Sequence, residues 1–289
     1  MVRRRSRRLW TSLTVATVLF PASEALAEPT QLQPTRDDTA RTLSPHVTAS
    51  PEVILVAEGG EGGEGGEGGG GGEGGEAGVD TRRAASDATV YLTALDLISA
   101  HYHAGLAAYR AGQQQAGAEM FAHPISEVYV DLMPALKTLS VAAFGGLMQK
   151  ASDLALSGAP LPEIEQAANA VFNALHAAEA KAPTAQPGQD VETAVFVDML
   201  DRAALQYAKA RSGASGDAYL DGYGFLQAAK ERSGKVLENL SASRPETAKA
   251  ARDALDVLAK TYPAIEMPAD SSVDPGTVLA ATSRLRLTL

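Results

Sequence analysis

The sequence predicts an all-α protein, a duplicated antiparallel bundle of about seven helices behind a disordered leader. Three observations predict it. Residues 80–268 are rich in Ala, Leu, Glu, Lys and Gln, the strong helix formers, and hold no β-branched run of period two. Apolar residues recur there at three- and four-residue steps. The same short motifs return later in the chain at a shrinking offset.

The leader has two parts. Residues 1–27 combine a basic start (Arg3, Arg4, Arg5, Arg7, Arg8), an apolar stretch over 10–20 and Ala25-Leu26-Ala27 before Glu28. This is the pattern of a secretory signal peptide with an A-x-A cleavage site, and it predicts a periplasmic protein. Residues 28–80 form a linker, first Pro/Thr/Ser-rich and then, over 58–78, built of 14 Gly and six Glu in a Glu-Gly-Gly pattern. Glycine has the largest ordering entropy and the glutamates repel one another, so this tract predicts a flexible spacer. No later stretch reaches the ~18 uninterrupted apolar residues of a membrane span.

The helices follow in order. Leu92, Leu95, Tyr102, Leu106 and Tyr109 make the apolar stripe of a first helix over 84–111, and Gly112 is placed to end it. A short helix is expected at 113–121. Pro124 suits the first turn of the next, which should run to about 156 with a bend near Pro134 or Gly145-Gly146. Ser157-Gly158-Ala159-Pro160 is a break, and Pro162-Glu163 opens a helix carrying Ile164, Val171, Phe172 and Leu175. Residues 181–189, with two Pro and one Gly, link the first repeat (81–182) to the second (190–268). The second repeat predicts helices over 190–212, 215–240 and 244–261, the last opened by a capping box in Ser243-Arg244-Pro245-Glu246. The tail, 269–289, is expected to pack loosely.

The duplication rests on three matches. Tyr91-Leu92-x-x-Leu95-Asp96 returns as Phe196-Val197-x-x-Leu200-Asp201, with Tyr102 matching Tyr207. Tyr129-Val130-Asp131 returns as Tyr219-Leu220-Asp221, and Pro162-Glu163 as Pro245-Glu246. The shrinking offset fits a second copy with shorter loops.

Composition narrows the function. The chain carries 25 Lys+Arg against 35 Asp+Glu, and without residues 1–27 the balance moves to about −14. Such a chain is no nucleic-acid binder, because that affinity comes from clustered cations on phosphates. With no Cys there are no disulfides, thiolate metal sites or Cys nucleophiles. No G-x-S-x-G, Walker A, H-E-x-x-H or EF-hand loop occurs, and no residue set for turnover is visible, so an enzyme is not expected.

The histidines carry the sharpest signal. Beyond His46, all of them (His101, His103, His123, His176) fall in the first repeat, and the second puts Gln206, Ala208 and Ala259 at the aligned positions of His101, His103 and His176. His101 lies beside the apolar stripe with Ile98 and Gly105, whose missing side chain leaves room. His103 points roughly 200° away with Asp96, Ser99 and Arg110, onto what reads as the solvated face. His123 precedes Pro124, and Glu127 and Asp131 share one face four residues apart. A hairpin between the helices can fold His123 and Glu127 back onto His101. The expected site is therefore His101, His123 and Glu127, two imidazoles and a carboxylate suited to Zn, Fe, Cu or Ni, with Glu119 as a further candidate. Met120, Met133 and Met148 raise Cu(I), which favours thioethers.

The stretch Ala100-His101-Tyr102-His103-Ala104-Gly105-Leu106-Ala107-Ala108-Tyr109-Arg110-Ala111-Gly112, followed by His123-Pro124-Ile125-Ser126-Glu127-Val128-Tyr129, resembles a motif of uncharacterised helical envelope proteins of proteobacteria. Ala100 stands where that motif has Gly. More distantly, the duplicated bundle and Tyr219-Leu220-Asp221-Gly222 resemble the imelysin/EfeO-like proteins of periplasmic iron uptake, although Glu127 follows His123 by four residues rather than by the three of their His-x-x-Glu signature. That resemblance implies metal acquisition or sensing.

Two functions are weighed on this basis. The first is a periplasmic protein that binds a transition metal ion (Fe, Cu or Zn) for uptake, delivery or sensing. The alternative is a metal-free helical interaction module that docks an envelope protein.

Overall fold

The computed structural model describes residues 78–186, 190–213, 217–269 and 271–289. The expected signal peptide and nearly all of the Glu-Gly-Gly linker lie outside the described residues. A single 3-10 turn, Thr81–Arg83, leads into α1 (Ala88–Arg110) and α2 (Gln114–Pro124). A π turn, Ile125–Tyr129, joins α2 to α3 (Val130–Thr138). Then come α4 (Gly145–Leu156), α5 (Leu161–Glu179), α6 (Val191–Ser212), α7 (Ala218–Ser243), α8 (Pro245–Thr261) and α9 (Pro275–Arg286). No strand occurs among the described residues, so the chain is all-α. None of the described helices is long and apolar enough to cross a membrane.

α1 is the central helix. It packs on α2, α5, α6 and α7, and its side chains are buried on nearly every side. Its N-terminus is capped by Asp87, whose carboxylate accepts from the Thr89 and Val90 N–H groups at 3.0 and 3.2 Å. Asp87→Ala should lower stability by about 1 kcal/mol, a Tm drop of roughly 2–4 °C by calorimetry; an unchanged Tm would show that the start of α1 is held by packing alone. At the other end Gly112 takes φ +82° and lets the chain reverse into α2, as its position predicts.

Several aromatic residues matched in the repeat are buried in both copies, whereas Val130 and Asp131 are exposed where Leu220 is buried and Asp221 half-buried. Tyr91 and Tyr102 on α1, and Phe196 and Tyr207 on α6, are all fully buried, and Tyr129 and Tyr219 nearly so. One apolar core runs through both ranges. Buried tyrosines satisfy their hydroxyls by reaching another element's carbonyl: Tyr91 donates to Ala178 O (2.9 Å), Tyr109 to Ala159 O (2.7 Å), Tyr219 to Thr261 O (2.9 Å) and Tyr262 to Ala203 O (2.6 Å). Each bond ties one helix to the end of another or to its backbone, and each avoids an unmet buried donor.

The structure departs from the expected elements at four places. Pro124 ends α2 instead of opening the next helix, and the expected 124–156 helix is three pieces: the π turn, α3 and α4. The chain breaks over 139–144, and Pro134 stays inside α3. The capping box does not form. α7 continues to Ser243, whose hydroxyl donates to Asn239 O, so Arg244 stands between α7 and α8 without a side-chain cap. The tail is ordered as α9, capped by Asp274 onto Thr277 N–H at 2.9 Å and packed on α6 and α8 through Val278, Ala281, Thr282 and Leu285. Asp274-Pro275 is a helix start that the Ser/Pro-rich composition obscured.

The fourth departure concerns Asp96 and Ser99. They are buried, because α5, α6 and α7 cover that side of α1. Arg232 of α7 reaches in and forms a forked pair with Asp96, a contact to Glu179 of α5 and a 2.9 Å pair with Glu192 of α6. One guanidinium thus joins four helices.

Candidate metal centre

Two close backbone approaches build the site. At Gly105 and Gly117, α1 and α2 come so near that a Cβ on Gly105 would stand 3.0 Å from Gly117 O, and one on Gly117 2.9 Å from Gly105 O. At Gly224, α7 lies against the Ala100 carbonyl of α1, one residue before His101. Glycine at these positions lets three helices converge around His101. Gly105 is therefore a helix contact rather than free space beside the imidazole.

His123 sits in the last turn of α2, one residue before Pro124. Pro124 has no N–H to continue the α-helical ladder, and its ring crowds the preceding turn. The backbone opens into the π turn, closed by the Val130 N–H on Ile125 O. Glu127 lies in the middle of this turn and is re-aimed by it, a placement π turns commonly have at functional sites.

The geometry at His101 is specific. Its Nδ1 lies 2.8 Å from Leu97 O one turn back, and a carbonyl only accepts, so Nδ1 carries the proton. In the neutral imidazole Nε2 carries the lone pair, and it lies 3.7 Å from Glu127 Oε2. That is too long for a hydrogen bond and close to the roughly 3.3 Å that separates two donors on one tetrahedral ion. The rings of His101 and His123 meet edge to face, centroids 6.2 Å apart. Two imidazoles on one tetrahedral ion place their centroids about 5 Å apart, so the rings stand roughly an ångström wider than a shared ion requires. His101 is buried, and His123 and Glu127 are half-buried.

The sequence reading missed a fourth group. Phe225 of α7 sets its ring edge against His101, centroids 6.2 Å apart. Asp221 lies one turn before Phe225, on the same face of α7. Burial pushes its carboxyl above the usual carboxylate range, while His101 and His123 pull it back down and Asp217 and Glu127 reinforce the rise. Its Oδ1 is buried and has no hydrogen-bond partner among the described residues. A signal existed in the repeated Tyr-x-Asp motif. The repeat, however, pairs Asp221 with Asp131, which is exposed.

The donors are near one another but not closed into a coordination shell. Among the described residues no three His, Asp or Glu side chains stand in a group that could hold an ion as they lie. Movement of these side chains is needed to bring them to bonding distances of about 2.0–2.2 Å from one ion.

Other candidates fall elsewhere. His103 is not on a solvated face: it is half-buried, its ring 4.7 Å from that of Phe172 and its Nε2 3.0 Å from Glu231 Oε1. The expectation failed because α5 and α7 flank that side of α1. The Glu119 carboxylate accepts from Gln115 at 3.0 Å, on its own helix. Met120 and Met148 are fully buried in the packing and Met133 is exposed on α3, so they form no thioether cluster. No protein-family model, curated protein or solved structure matches the chain.

Proposed function

We propose that the protein binds a transition metal ion through His101, His123 and Glu127 and serves uptake, delivery or sensing of that ion in a bacterial periplasm. The observation that carries this reading is the His101 imidazole. Its Nδ1 is tied to Leu97 O, its Nε2 lies toward the Glu127 carboxylate, and a second imidazole, His123, stands edge to face with its ring. Metal-ligating histidines are oriented in this way, with one ring nitrogen tied to a carbonyl and the other presented to the ion. The A-x-A leader supports the compartment, and the resemblance to imelysin/EfeO-like proteins supports metal handling. A binding or delivery role suits the donor types at the site, imidazole and carboxylate.

Isothermal titration of the purified protein with Zn(II), Fe(II) and Cu(II) is expected to give one saturable site for at least one of them. The His101→Ala/His123→Ala double variant should lose that heat. Unaltered heat in the variant, or no binding by the wild type, defeats the reading. The latter result favours the metal-free module that docks an envelope partner, for which exposed Val130 and Met133, one turn apart on α3, offer a face.

A further inference from the structure

The first three groups of the site all lie between residues 101 and 127, yet the orphaned oxygen among them belongs to α7. A buried acceptor without a donor destabilises a fold by about 1–3 kcal/mol, and most are satisfied. Asp221 has no such donor among the described residues, although His101, His123 and Glu127 are near enough to act on its carboxyl. Its place is not incidental. Leu220 packs with Ala104, Ala108 and Met120, Gly224 abuts Ala100, and Phe225 touches His101. The first two turns of α7 are thus seated on α1 and α2 on both sides of Asp221. A metal cation would give this oxygen a partner and would be met by the donor types of all four groups.

We propose that Asp221 is the fourth ligand of the site and that the full set, two imidazoles and two carboxylates, selects a borderline divalent ion such as Zn(II) or Fe(II) over Cu(I). This rests on the metal-binding reading above. Two carboxylates balance the charge of a divalent ion, and the set lacks the soft sulfur donors that favour Cu(I). Because the ligands come from α1, α2, the π turn and α7, the ion also crosslinks the two repeats. Binding then favours the folded state over the unfolded one.

The test uses the whole protein, with Zn(II) for affinity and Co(II) as a visible-spectrum reporter of coordination. The wild type should bind one Zn(II), show intense four-coordinate Co(II) bands and gain thermal stability with Zn(II). Asp221→Asn has the same size and adds a donor, so its metal-free Tm should equal or exceed that of the wild type. Its Zn(II) affinity should fall by more than the roughly 10–100-fold typical of losing a supporting residue, with weakened Co(II) bands. Asp131→Asn, at the exposed matching position, should change neither. If the wild type binds no metal, the underlying reading fails. If the wild type binds and the His101/His123 variant does not, while Asp221→Asn keeps its affinity and spectrum, the fourth ligand alone fails. Tighter competition by Cu(I) than by Zn(II) overturns the assigned class of ion.

Discussion

Arg232→Met is expected to destabilise the protein by about 3–5 kcal/mol, a Tm loss of roughly 6–20 °C. The guanidinium is nearly buried and neutralises a group of carboxylates that could not be packed together without it. Asp96 is almost wholly enclosed and Glu179 and Glu192 are about two-thirds covered. Methionine fills the volume of the stem but leaves Asp96 with no cation within reach. Lys235, which pairs with Glu192 at 2.9 Å from the solvent side, does not contact Asp96. An exposed pair such as Lys249–Asp253 contributes at most a few tenths of a kcal/mol, so Lys249→Met is the natural control.

The loss should depend on pH with a definite sign. Burial pushes the Asp96 carboxyl up to about 6, against the opposing pull of Arg232, from an ordinary value of 3.8. A raised acid stabilises the fold fully below the unfolded value and loses that contribution as pH rises through the folded one. The wild type therefore loses part of its stability between about pH 4 and 6 on this account. Without Arg232 the carboxyl rises further, so the variant's deficit is larger at pH 8 than at pH 5. Urea unfolding at the two pH values measures it, and an equal deficit at both would show that Asp96 is not the group left stranded.

Gly224→Ala carries the second large effect. An alanine inside a helix normally gains up to about 1 kcal/mol over glycine. Here the added Cβ would overlap the Ala100 carbonyl, which is backbone and cannot swing aside. α1 and α7 must part, and overpacking of this kind costs typically 1–3 kcal/mol, occasionally more. The clash wins, and a net loss of about 2 kcal/mol is expected. Gly234, ten residues along the same helix, meets nothing within 4 Å, so Gly234→Ala should instead stabilise by up to about 1 kcal/mol. Opposite signs for one substitution on one helix isolate the close approach from helix propensity. If Gly224→Ala also stabilises, α7 does not sit as tightly on α1 as the geometry requires. Separation of α1 and α7 also withdraws Asp221 from His101, so Gly224→Ala should weaken any metal binding that depends on Asp221.

Much of the candidate site could be read from local pattern. His101 lies on α1, and a proline-marked turn brings His123 and Glu127 back to it after one hairpin. That is a short-range event, governed by a helix end, a missing N–H and two glycines. Asp221 was beyond such reasoning. It reaches the site through the packing of α7 on α1, a contact between distant parts of the chain, and the repeat matched it to Asp131, which faces solvent. The error at His103 and Asp96 has the same origin. A helical wheel separates polar from apolar faces, but a central helix surrounded by four others has no solvated face, and its polar residues must find partners such as Arg232 and Glu231.

By itself, then, the amino-acid order determined the helical class, most of the breaks between helices, the paired arrangement of motifs and the acidic, cysteine-free chemistry. All of these arise from propensity, period and composition, which act over a few residues. Only the tertiary structure decided that α1 is enclosed, that α9 closes the second half, that Arg232 joins four helices and that the start of α7, with a buried and unpartnered Asp221 oxygen, packs beside His101. The reason is physical: close packing and charge compensation depend on which surfaces meet, and no local window of sequence carries that information.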